Sequence, residues 1–146
     1  ILSFKLLNNL FGAVMKNDLK DIKGLFVLDN REATLEGIKK IKKAIIYTSK
    51  QIKQLHDGVV EEKNIPTMCT AIINNFFWLV DTLDKSKESQ LTKDLDYLYK
   101  HCLFSIIRVR DFNDYDFVPG CVKVLEDITE SWDRVSLAAD KAEAFG

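Results

Sequence analysis

The chain has little with which to build turns: two prolines and six glycines in 146 residues. A sandwich or barrel needs tight turns at short intervals, so this scarcity argues against an all-β architecture. Histidine is equally scarce. His56 and His101 have no second histidine or cysteine at ligand spacing, and Cys102, adjacent to His101, would face another direction on a helix, so no metal site is expected. Cys69, Cys102 and Cys121 are an odd number without close spacing, which argues against a disulfide framework and for a reducing compartment. No long apolar run is present. The most apolar window, Ile65 to Leu83, is broken by Asn74, Asn75 and Asp81 and is too polar to span a bilayer, so membrane insertion is not expected.

Charge of one sign is lacking too. A net charge of −1 gives no broad attraction to nucleic acid or to an anionic membrane. The chain has no glycine-rich phosphate loop, nucleophile elbow or Walker-type lysine. Asp57, Asp94, Asp96, Asp111, Asp114 and Asp116 supply carboxylates, but not the Glu-x-x-His pairs of a diiron bundle. "DFNDYDF" lacks the glycine and glutamate of a calcium loop and reads as a polar turn. The expectation is a non-enzymatic, cofactor-free, cytoplasmic protein. The sequence opens at Ile1 without a leader-like pattern, and residues before it are expected.

What is present is helical periodicity. Ile38, Ile41, Ile45, Thr48, Ile52, Leu55 and Val59 alternate at three and four, with Asp57-Gly58 as a stop signal. Lys39, Lys40, Lys42, Lys43, Lys50 and Lys53 lie mostly off that stripe and read as a solvated face. A second helix should start at "NIPT", with Asn64 as cap, and end near Asp84 on a face of Ile72, Ile73, Phe76, Val80 and Leu83. Ser89 should cap a third helix with the stripe Leu91, Leu95, Leu98, Cys102, Ile106 and Val109. After the break "DFNDYDFVPG", a fourth carries Cys121, Val124, Leu125, Ile128, Trp132 and Val135. Short loops between long amphipathic helices imply a mainly α protein, an antiparallel four-helix bundle over residues 34–137.

Residues 1–33 read as a small β hairpin or meander packed on the bundle, with a turn at Asn8-Asn9 and "GLFVLDN" as a further strand. A helix over Phe4 to Met15 fits nearly as well, through Leu6, Leu10 and Val14. Residues 138–146 read as a tail.

The aromatics exceed what one core face can hold. At 100° per residue Trp78 falls opposite its helix's core stripe, beside Asn74, with Phe77 on the flank beside Ile73. Tyr97, His101, Phe104 and Arg108 form an outer strip on the next helix. Burying one large apolar side chain is worth about 1.5–3 kcal/mol, so something is expected to cover these rings: the N-terminal residues, a second copy in a homodimer, or another protein.

Residues 82–135 resemble the second half of the flagellar export chaperone FliS family. The family has Ser-Leu-Asp ending a helix, a Leu-x-x-Leu-Tyr helix, an Asn-Asp turn and a last helix ending in Trp. Leu83-Asp84, Leu95 with Leu98 and Tyr99, Asn113-Asp114 and Trp132 match these in order. Glu88-Ser89 stand where members usually have a glycine pair, and "KKAIIYTSK" lacks the family's Leu-Tyr-Asp-Gly. The resemblance implies a helical bundle that acts as an export chaperone or as a FliS co-chaperone in flagellar assembly. Its partner would be a flagellin-type subunit or the FliS chaperone, held at Ile73, Asn74, Phe77, Trp78, Tyr97, His101, Phe104 and Arg108. The alternative is a self-associating structural bundle.

Overall fold

The computed structural model describes residues 23–87 and 89–145, with side chains through Asp133. Among the described residues two short strands, β1 (Val27–Leu28) and β2 (Arg31–Glu32), pair antiparallel ahead of four helices. These are α1 (Leu35–Asp57), α2 (Ile65–Asp81), α3 (Gln90–Phe112) and α4 (Val118–Phe145). Each helix packs against its neighbours in a ring, α1 on α2 and α4, α3 on α2 and α4. Cross-helix contacts run in opposite directions along the chain, such as Arg110 with Thr70 and Tyr99 with Phe76. The bundle is therefore antiparallel, as short connections demand.

The ends of the helices follow from local chemistry. Thr34 accepts the Gly37 N–H at 3.1 Å and starts α1, and Gly58 stops it in the left-handed region at φ 69°. Val59 lies beyond that stop and is exposed, so the apolar stripe of α1 ends at Leu55 rather than at Val59. A 3-10 turn over Glu62–Asn64 leads directly into α2, which puts Asn64 in helical geometry; its side chain makes no cap bond, contrary to the expected capping role. Helix α2 ends at Asp81, three residues short of the expected end, where Thr82 turns its hydroxyl onto the Leu79 carbonyl at 2.6 Å. Ser89 caps α3 by accepting from Thr92. Helix α4 continues through the alanine-rich stretch to Phe145, past the boundary expected at 137, in keeping with alanine's high helix propensity.

The core is built mainly from the stripes read from the sequence, joined by Phe26, Leu79 and Leu103; the side chain of Val135, expected on the last stripe, lies outside the described residues. Ile41, Ile45, Ile52, Ile72, Phe76, Ile106, Leu125 and Ile128 are fully enclosed. Thr48 sits among them because its hydroxyl donates to the Ala44 carbonyl at 2.7 Å, which satisfies the group without a partner helix.

The hairpin lies where "GLFVLDN" turns back on itself. Asp29 and Asn30 both adopt positive φ, 54° and 63°, the geometry of a two-residue turn that these side chains tolerate. The expected Asn8-Asn9 turn and the alternative helix over Phe4 to Met15 lie outside the described residues. The hairpin is stitched to the end of α2: the Val27 N–H donates to the Thr82 carbonyl at 2.7 Å and the Asp84 N–H to Leu25 at 2.9 Å. Phe26 is thereby driven into the bundle, 1% exposed, with its ring 5.2 Å from that of Trp132 on α4. Leu28 lies over α1 at Gly37, so close that a β-carbon there would come within 2.5 Å of its methyl.

Candidate protein-docking surface

Two hydrogen bonds orient the outside of α2. Asn75 donates to Gln51 of α1 at 3.1 Å, marking the flank that faces α1. Arg110 of α3 reaches Thr70 at 3.4 Å, marking the other flank. Phe77, two turns beyond Thr70, shares the α3 flank; Trp78, one turn beyond Asn75, points outward and leans toward α1. Both are exposed, Phe77 by 52% and Trp78 by 37%, and Asn74 lies open to solvent near them. Ile73 is different. It is 4% exposed and belongs to the core, so it is corrected from docking residue to scaffold.

On α3 the outer strip is longer than the sequence reading. Tyr97, His101, Phe104 and Arg108 are all exposed, and the strip continues one turn to Phe112, at 71% the most exposed aromatic among the described residues. Arg108 shows which way the strip faces. Its guanidinium lies 5.9 Å from the centroid of Phe112 and 5.3 Å from that of Phe117, which precedes α4. The strip therefore looks toward the α4 side, spanning about 22 Å from Tyr97 to Phe112 at 1.5 Å per residue. Phe112 and Phe117 were missed because "DFNDYDF" was read as a polar turn. The signal was available: Phe112 is four residues after Arg108 and eight after Phe104.

The turn beside these rings is closed by its own hydrogen bonds. Asn113 takes left-handed geometry at φ 53° and donates its N–H to the Val109 carbonyl at 3.0 Å, while the Asp114 N–H donates to the Arg108 carbonyl at 3.1 Å. Asp114 accepts from the Asp116 N–H at 2.9 Å and from Arg108 at 2.8 Å, and these two bonds hold its carboxyl below the usual range. Asp111 is held low in the same way by Arg110. The carboxylates of this loop thus hold arginines in position, and Arg108 in turn holds the two rings.

The eight residues expected to form one surface do not form one. Seven are at the surface, in two groups: Asn74, Phe77 and Trp78 on α2, and the α3 strip turned toward α4. Between them the ion pair of Lys100 with Asp96, at 2.9 Å, occupies the side of α3 next to α2. The core pair Cys102 and Cys121, far apart in sequence, meet between α3 and α4 as free thiols; their shared hydrogen bond, then burial, raises Cys102. Burial, only partly offset by the nearby Arg110 guanidinium, pushes the Cys69 thiol up to about 11, which leaves it protonated and a poor nucleophile.

The residues that carry the FliS resemblance occupy different ground from the strip. Leu83, Leu95, Leu98, Tyr99 and Trp132 are buried, and Asn113 with Asp114 form the turn. They are scaffold residues, whereas the exposed rings are what a partner would touch. Among the described residues no helix is long and apolar enough to cross a membrane. Comparison of the chain with protein-family models, with curated proteins and with solved structures gives no match.

Proposed function

We propose that this protein is a binding module that covers apolar segments of another polypeptide, an export chaperone or co-chaperone in flagellar assembly. The observation that carries the reading is the α3 strip, in which Tyr97, Phe104 and Phe112 stand in water on a helix whose opposite face is packed, with Phe117 of the following loop beside them. The flagellar assignment rests on the resemblance over residues 82–135. The partner would be a flagellin-type subunit or the FliS chaperone itself.

The mechanism needs no bond-making. A disordered apolar segment that folds as an amphipathic helix along α3 would exchange wet aromatic surface for contact, and would have to offset its own ordering entropy. Phe112 and Phe117 are already gathered about Arg108, so less ordering of these two rings is left for binding, which favours capture. Arg108, between Phe112 and Phe117, adds a cation over the aromatic faces. Titration calorimetry of the protein against flagellin C-terminal peptides and against a FliS chaperone tests this. Micromolar binding to one of them supports the reading; silence with both, or a stable homodimer that shields Phe104 and Phe112 in sedimentation and solvent-labelling measurements, overturns it.

A further inference from the structure

The opposite side of the bundle has its own character, and its evidence is independent of the α3 strip. Helix α1 carries six lysines against Glu36 and Asp57. Lys42 is committed to Asp133 of α4 at 3.1 Å. Lys40, Lys43, Lys50 and Lys53 are exposed and have no ion-pair partner among the described residues. Lys40, Lys43 and Lys50 fall in one line with Tyr47, at steps of three, four and three, on the face opposite Ile41, Ile45 and Ile52. Tyr47 stands 60% exposed between Lys43 and Lys50. The Asn75–Gln51 bond fixes what lies beside it: in an antiparallel pair, Tyr47 and Trp78 are each about one turn from that bond, toward the same end. Toward the start of α1 the line opens into a depression of about 790 Å³, lined by Leu28, Arg31, Lys40 and Lys43, with Asp29, Glu32 and Glu36 also at its wall.

We infer that this face of α1 is a second docking surface, whose occupant is an acidic amphipathic polypeptide segment. Charge complementarity selects the sign: ammonium groups in a row, without ion pairs among the described residues, favour a partner with carboxylates at matching spacing. The interleaved Tyr47 and neighbouring Trp78 select an amphipathic chain, since a purely acidic one would leave both rings in water. Nucleic acid fits less well. The carboxylates at the depression, and Glu126, Glu130 and Asp133 along the α4 flank beside Lys50 and Lys53, oppose a continuous polyphosphate, and the whole chain is at −1. Because α1 and α3 are diagonal in the ring, the two surfaces face apart, and the protein can hold two polypeptides at once.

The test uses the full chain and a fluorescent synthetic peptide with glutamate on one helical face and leucine on the other, read by anisotropy. The expected result is binding that weakens as salt screens it, and that drops at least about tenfold in the double variant Lys43→Glu, Lys50→Glu. The same loss in direction should follow from Lys43→Gln with Lys50→Gln, which guards against a folding defect, while Phe104→Ser with Phe112→Ser should leave this binding unchanged. Equal binding of the peptide with glutamine in place of glutamate, or no effect of the lysine variants, overturns the proposal. Tighter binding of polyuridylate at the same lysines overturns it as well, in favour of a nucleic-acid surface.

Discussion

The two ends of the bundle use aromatic residues in opposite ways. At one end Phe26 and Trp132 face each other beneath the hairpin and are almost wholly enclosed. At the other, Phe112 and Phe117 flank Arg108 in the open. The backbone decides the difference. The hairpin bonds to Thr82 and Asp84 and forms a lid over the first pair, whereas the loop after α3 spends its hydrogen bonds on itself, through Asn113 and Asp114. A ring under the lid contributes to stability; a ring beside the loop leaves its apolar surface for a partner.

The largest effect should come from the sealed end. Phe26→Ala removes a ring from a site that cannot easily collapse and should cost about 3–5 kcal/mol in urea unfolding. A cost below about 1 kcal/mol would show that the hairpin merely rests on the bundle. The next test concerns the middle of α3. The Tyr99 hydroxyl is fully buried and has no hydrogen-bond partner among the described residues, and burial raises its pKa far above the ordinary phenol range. Tyr99→Phe should therefore stabilise the fold by about 1 kcal/mol, because an unsatisfied buried group is removed without creating a cavity. A loss of stability would reveal a partner for that hydroxyl.

The smallest effect lies at the open end. Asp114 is held below its ordinary pKa, so its contribution is fully present above the unfolded carboxylate value and is lost as pH falls through the folded one. Acidification below the usual carboxylate range should loosen the turn, seen as faster amide exchange at Asn113 and Asp116. Asp114→Asn should remove most of that pH response.

Much of this contrast was legible in the residues. Every core stripe from Ile38 to Trp132 could be read by period, because burial on a helix repeats at three and four. So could the outward direction of Trp78 and Phe104. Three things could not. The Phe26–Trp132 contact joins positions remote in sequence, so no local pattern announces it. Cys102 and Cys121 meet for the same reason. Phe112 and Phe117 were hidden by their acidic neighbours, whose role as arginine acceptors appears only once Arg108 and Asp114 are seen to bond. The separation of the α2 and α3 aromatics follows from the direction in which each helix faces its neighbours, which periodicity within one helix leaves open.

The central claim is that the α3 strip is a docking face rather than part of the fold. Calorimetric titration of Phe104→Ser with Phe112→Ser against the partner that the unaltered protein binds, alongside thermal melting, tests it most directly. The account predicts binding weakened at least about tenfold, since aromatic anchors typically cost more than 1 kcal/mol each when truncated, with melting nearly unchanged. Unaltered affinity, or a fold that melts well below the parent, would contradict it.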